Sequence, residues 1–301
     1  LLAAGASAAA PNALGWSAAH VAAAAGAGDV LRLLADRGVP LDAPDVAGQS
    51  PLHVVAVAGS APAVRALIDG GVAVRPRGGT AYAPLLAAAA VGAVDVVQAL
   101  IDAGARVYAA GDDGVGEEED DEPTLDPWGE KALGWHDTPL HAAANGGHVD
   151  AVRVLLAAGA AVDAPGVDGG TPLIAAARGG CLAVVAKLLG RGARVGAINH
   201  NQWTPLHVAA HAGADKIVAA LMAAGADTHA IADDLQIPLH VAVAAAHTPV
   251  VAALLGAGTG AVDMDVDAVG ASGRTPLHDA AIGGHAGVAT ALAAAGADVP
   301  S

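Results

Sequence analysis

The chain has 301 residues, 54% of them apolar, yet it contains no Phe, four Trp and two Tyr, so its interior must be built from Ala, Leu, Val and a few Ile. A formal charge of −16 excludes the clustered Lys and Arg that a nucleic-acid or anionic-membrane surface requires. The single cysteine, Cys181, excludes an internal disulfide and suits a reducing compartment.

In chain order, Leu1 to Gly28 is uncharged, but Pro11, Asn12, Ser17 and His20 interrupt it and no basic stretch precedes it, which argues against a signal peptide or membrane helix. Residues 1–16 fit the end of a truncated repeat and its finger. Eight copies of one phrase follow, most of them 33 residues apart, and residues 17–301 form one repeat array. The copies start near 17, 50, 83, 138, 171, 204, 237 and 275, with Thr138-Pro139-Leu140-His141 as the fullest form. Such a period means stacked supersecondary units with a surface function, not one globular core.

The unit from Thr138 to Gly170 shows how each copy is built. Thr suits the N-cap and Pro the first helical position, predicting helix one over about Pro139–Asn145. Gly146-Gly147 breaks it, and Val152, Leu155 and Leu156 carry a second helix from about Val149. A Gly closes that helix twelve residues before the next phrase, at Gly38, Gly71, Gly159, Gly192 and Gly225. A turn-rich finger with Asp163, Pro165 and Asp168 leads onward. Ala83 and Ile237 lack the capping oxygen, a loss of about 1 kcal/mol each. Arg32, Arg65, Gln98 and Arg153 share one register position and read as a solvated back face.

This helix-turn-helix-finger unit, opened by Thr-Pro-Leu-His, resembles the ankyrin repeat over nearly the whole chain. The resemblance implies an all-α repeat solenoid of about eight repeats, with β-hairpin-like fingers. It also implies structural roles for His20, His53, His141, His207, His240 and His278, and for His148, His247 and His285 ten residues after the Thr position. Neither end carries the polar cap of a free-standing array, so the expectation is a piece of a longer protein.

The twelve-residue spacing fails twice. The stretch from Gly104 to Thr138 exceeds it by 22 residues, and ten of the thirty acidic residues fall between Gly111 and Lys131. This insertion, at about 111–132, reads as a disordered, solvating loop or as a docking tail for a partner with a basic surface. The second excess, five residues at about 259–267, contains Asp263-Met264-Asp265-Val266-Asp267. Those acids resemble the start of a calcium loop, but Ala268 and Arg274 stand where its Gly and Glu belong, so an extended strand is expected and no metal.

The aromatics supply the candidate site. In ankyrin proteins the fingers and first helices line a concave groove, and Trp and Tyr are enriched at interface hot spots. Partner binding is assigned to Trp135, His136, Asp137 and Asn145, to Asp168 and Arg178, and to His200, Asn201, Trp203 and His211, with Trp16 and Tyr82 as secondary finger aromatics. Trp203 is expected to be substantially exposed beside Trp135 or His136.

No phosphate loop, His-Glu-x-x-His, Gly-x-Ser-x-Gly or paired-cysteine spacing occurs, and Cys181 stands where other repeats carry His148 or His285. The chain therefore reads as non-enzymatic and cofactor-free, an intracellular (cytoplasmic or nuclear) module that binds a protein partner through its groove. The alternative is the recognition arm of a larger kinase, ubiquitin ligase or channel whose effector domain lies outside this sequence.

Overall fold

The computed structural model describes residues 11–74, 84–107, 137–256 and 265–298. Among these residues there are sixteen α-helices and no strands. The helices come in pairs: α1 (Ala18–Ala24) with α2 (Gly28–Asp36), α3 (Pro51–Ala58) with α4 (Ala61–Asp69), α5 (Pro84–Ala90) with α6 (Val94–Asp102), and α7 (Pro139–Asn145) with α8 (Val149–Ala157). The remaining pairs are α9 (Pro172–Gly179) and α10 (Leu182–Leu189), α11 (Pro205–His211) and α12 (Asp215–Ala223), α13 (Pro238–Ala244) and α14 (Thr248–Leu254), and α15 (Pro276–Ile282) and α16 (Ala286–Ala294).

Local chemistry sets these boundaries. Thr138 and Thr204 hold extended N-cap conformations, and each hydroxyl accepts the amide of the third helical residue at 3.4 Å. Helix two ends where a glycine enters the left-handed region, as at Gly71 (φ 87°) and Gly159 (φ 90°). The next amide then returns to the helix, Val72 N–H to the Leu67 carbonyl and Ala160 N–H to the Leu155 carbonyl.

The chain divides into two compact units, Leu1–Ala161 and Val162–Ser301. In the first, helix one of each pair packs on the next through α1, α3, α5 and α7, and helix two does so through α2, α4, α6 and α8. The motif leucines Leu52, Leu85 and Leu140 and the helix-two leucines Leu67, Leu100 and Leu155 are buried between them. The second unit repeats this, with α9, α11, α13 and α15 in one row and α10, α12, α14 and α16 in the other, around Leu173, Leu206, Leu239, Leu188, Leu221 and Leu254. Each such leucine contributes about 1.5–3 kcal/mol of burial. The back-face side chains make local pairs: Arg32 binds Asp29 at 2.9 Å, Gln98 binds Asp102 at 2.7 Å and Arg153 binds Asp150 at 3.4 Å.

Residues inserted after α6 do not interrupt the first stack, because α7 packs on α5 and α8 on α6. His148 Nε2 donates to the Ala90 carbonyl across 58 positions, as His247 Nε2 does to the His211 carbonyl across 36. The difference, 22, is the excess counted in the sequence. The acidic insertion itself lies outside the described residues, as do Tyr82, Trp135 and His136. The strand expected at the second insertion is corrected for its described part, since residues 265–268 form a turn. Ala268 N–H donates to the Asp265 carbonyl at 3.3 Å, and the Asp265 carboxylate accepts Asp267 N–H at 3.1 Å. An Asp that can hydrogen-bond its own backbone two residues on favours a turn over extension.

Candidate functional site

Two of the motif histidines, His207 and His20, bridge successive repeats. Thr204 N–H donates to His207 Nδ1 at 3.2 Å, and His207 Nε2–H reaches the Gln236 carbonyl of the next finger at 3.1 Å. The same bridge runs from Ser17 N–H through His20 to the Gln49 carbonyl, at 3.2 and 3.0 Å. Only a neutral ring with its proton on Nε2 satisfies both ends. Burial pushes the His207 imidazole below its ordinary 6.5, against the opposing pull of the Gln236 carbonyl and the Asp234 carboxylate.

The fingers of the second unit bind one another through their tips. His200 N–H donates to the Asp168 carbonyl at 2.7 Å, Asp233 N–H to the Asn201 carbonyl at 3.3 Å and Ala271 N–H to the Asp234 carbonyl at 3.3 Å. Within the finger before α11, the buried Asn199 carboxamide accepts the amides of Asn201 and Trp203 at 3.1 and 2.9 Å, and Asn199 N–H donates to the Trp203 carbonyl. That loop presents His200 and Asn201 to solvent and turns Trp203 over helix one. The Trp203 ring stacks on His207 with centroids 6.1 Å apart and meets His211 edge-on at 5.6 Å. Trp203 is thus half-buried, not substantially exposed, because an imidazole one turn inside α11 carries the indole.

Asp168 and Arg178 form an ion pair at 2.7 Å, and Gly170 N–H binds the other carboxylate oxygen at 2.9 Å. Burial raises the Asp168 carboxyl, but Arg178 and the Gly170 amide outweigh it and hold the group below its usual range. Arg178 and His211 occupy equivalent ends of α9 and α11, which pack together. Six of the proposed residues, Asp168, Arg178, His200, Asn201, Trp203 and His211, therefore belong to neighbouring fingers and helices of the second unit.

In the first unit, Asp137 is exposed just before the Thr138 cap, and Asn145 is exposed at the end of α7. Trp16 stacks on His20 at 6.1 Å and donates Nε1–H to Asp45 Oδ2 at 3.1 Å. Its counterpart differs. The position 29 residues after Trp16 is Asp45, but the position 29 after Trp203 is Ala232, and Trp203 Nε1 has no hydrogen-bond partner among the described residues. Trp16 is tied into its stack, whereas the Trp203 indole N–H is left to solvent.

A row of exposed aliphatics was not singled out from the sequence. Ile198, Ile231 and Val269, at 45%, 60% and 58% exposure, hold the same position in three successive fingers, where the preceding finger has exposed Pro165. Apolar residues recurring at one register position beside a polar turn were the available signal.

Comparison with known proteins places this geometry. The family model described as "Ankyrin repeats (3 copies)" matches residues 19–110, 120–199, 168–232 and 206–301. Of solved structures, 518 chains match, among them the crystal structure of the human ASB11 ankyrin repeat domain. That domain is 27% identical, with a TM-score of 0.66 over 80% of this chain and 97% of its own. No curated protein sequence matches. Ankyrin repeats are in general protein–protein interaction modules and typically non-catalytic scaffolds. Among the described residues no helix is long and apolar enough to cross a membrane. With the repeat register, the capped helix pairs and the bonded fingers in agreement, this chain belongs to the ankyrin repeat family.

Proposed function

We propose that the chain is a protein-interaction module whose docking surface is the finger and helix-one side of the second unit, centred on Trp203. His200, Asn201 and His211 flank the indole, and the Asp168–Arg178 pair borders it on the preceding finger. Asp137 and Asn145 of the first unit, with Trp135, His136 and the secondary finger aromatics Trp16 and Tyr82, keep their assignment to partner binding on sequence grounds alone.

One observation carries the reading: two tryptophans at the same repeat position differ in hydrogen bonding. Trp16 Nε1–H is spent on Asp45, while the Trp203 donor is available to a ligand. A half-buried ring with an open polar edge gives a large contact area at little cost in side-chain ordering, which is the usual make-up of a hot spot.

The test selects binders to the full chain from a displayed protein library, then measures affinity for the Trp203→Ala and Trp16→Ala variants. Trp203→Ala is expected to lose about 2 kcal/mol of binding, roughly thirtyfold, with little change in melting. Trp16→Ala is expected to lower melting and spare affinity. Unchanged affinity in Trp203→Ala together with a sharp loss of stability would make the ring interfinger packing and overturn the assignment.

A further inference from the structure

Around Trp203 the charges are unevenly matched. Arg178 is neutralised by Asp168 at 2.7 Å, whereas the exposed Asp233 and Asp234 on the next finger have no cationic side chain in contact among the described residues. Their finger is held beside the ring by continuous bonding. Trp203 stacks on His207, His207 Nε2–H binds the Gln236 carbonyl at 3.1 Å, and Gln236 N–H binds Asp234 Oδ1 at 3.3 Å. Asp233 N–H in turn binds the Asn201 carbonyl of the Trp203 finger. The positions equivalent to Trp203 in adjacent repeats are Gly170 and Gln236, and those equivalent to His211 are Arg178, which Asp168 already engages, and Ala244. Among the described residues the indole meets the His207 and His211 rings of its own repeat, and the one cation at an equivalent position, Arg178, is engaged by Asp168.

We infer that this surface accepts an extended peptide segment of the partner that carries Lys or Arg next to an apolar residue. The inference rests on the docking site proposed above and names its occupant by charge complementarity. The base pairs with Asp233 and Asp234, and its alkyl stem or guanidinium lies against the Trp203 face, where an aromatic quadrupole favours a cation. The indole Nε1–H donates to a carbonyl of the same segment. The apolar neighbour lies along the finger row of Ile198, Ile231 and Val269. An acidic segment would meet two unneutralised carboxylates, so electrostatics supplies discrimination as well as attraction.

The experiment screens the full chain against a positional-scanning library of end-blocked decapeptides and measures the selected peptides by fluorescence anisotropy at two salt concentrations. Expected is enrichment of Lys and Arg, with affinity falling as salt rises. Trp203→Ala should weaken the selected peptides by about tenfold or more. The Asp233→Asn/Asp234→Asn double variant should weaken them by about tenfold and flatten the salt dependence. A control double variant, Asp29→Asn/Asp150→Asn, alters two exposed acids on helix two of the first unit and should leave binding unchanged. Equal losses in the two double variants would reduce the effect to overall negative charge and overturn the inference. Trp203-dependent selection without basic enrichment would overturn it too, while sparing the docking site. Selection indifferent to Trp203→Ala would overturn the docking site itself.

Discussion

His207 and His240 hold the same position in adjacent repeats, are 0% and 1% exposed, and should respond in opposite directions to replacement by leucine. His207 receives Thr204 N–H at 3.2 Å, lies 2.9 Å from the Thr204 hydroxyl and donates to the Gln236 carbonyl at 3.1 Å. Leucine would leave the buried Thr204 amide without its imidazole partner at about 1–3 kcal/mol, while the Gln236 carbonyl would keep Ala232 N–H at 3.0 Å, so His207→Leu is expected to cost about 1–3 kcal/mol. His240 has neither contact among the described residues: Ile237 replaces the capping hydroxyl, and both ring nitrogens are buried with no hydrogen-bond partner there. Removing two unsatisfied nitrogens recovers part of their desolvation cost, and His240→Leu is expected to stabilise by about 1 kcal/mol. Urea unfolding followed by circular dichroism gives the sign. Hydrogen exchange of α11 and α13 localises the change, which matters because repeat arrays need not unfold in one step. Equal destabilisation by the two substitutions would refute the hydrogen-bond accounting.

Ala246 and Leu235 sit at φ 60° and 56°, where other repeats place glycine, as at Gly213 (φ 70°) and Gly169 (φ 73°). Ala246→Gly and Leu235→Gly are each expected to raise stability by roughly 0.5–1 kcal/mol through relief of a left-handed backbone, read as a higher melting midpoint; a lower midpoint would contradict this. Because burial holds His207 below its ordinary 6.5, the unfolded chain takes up that proton first. Its stability contribution is complete above pH 6.5 and is lost as pH falls through the folded-state value. The urea midpoint should fall on acidification from neutral pH, and His207→Gln should reduce that slope; an unchanged slope would contradict the assignment.

Helix starts were legible in the sequence because Thr and Pro at consecutive positions have a direct mechanism in capping and in the missing N–H. The closing glycines were legible for a similar reason, as the left-handed backbone at Gly71 and Gly159 selects that residue. Side-chain exposure within the fingers was less so. The position before Thr204 marks Trp203 as a fingertip ring, whereas its burial depends on His207 and His211, one and two turns further on. The contrast between Trp16 and Trp203 was nonetheless written in the chain, as Asp45 against Ala232 at the same 29-residue offset. Seeing it requires knowing that the offset joins successive fingers, which only the fold supplies. Ile237 shows a lost cap in the sequence itself. That the loss also strands His240 follows from packing two repeats together.

The proposed docking site is tested most directly by the indole Nε1–H resonances of the 15N-labelled 301-residue chain, assigned with single Trp→Phe variants and followed during titration with a selected binding peptide. Expected is a Trp203 indole proton that exchanges quickly with solvent in the free chain, then shifts and becomes protected at saturation, while the Trp16 proton bonded to Asp45 stays in place. A Trp203 indole resonance unmoved at saturating peptide would contradict the proposal that this ring is the centre of the docking surface.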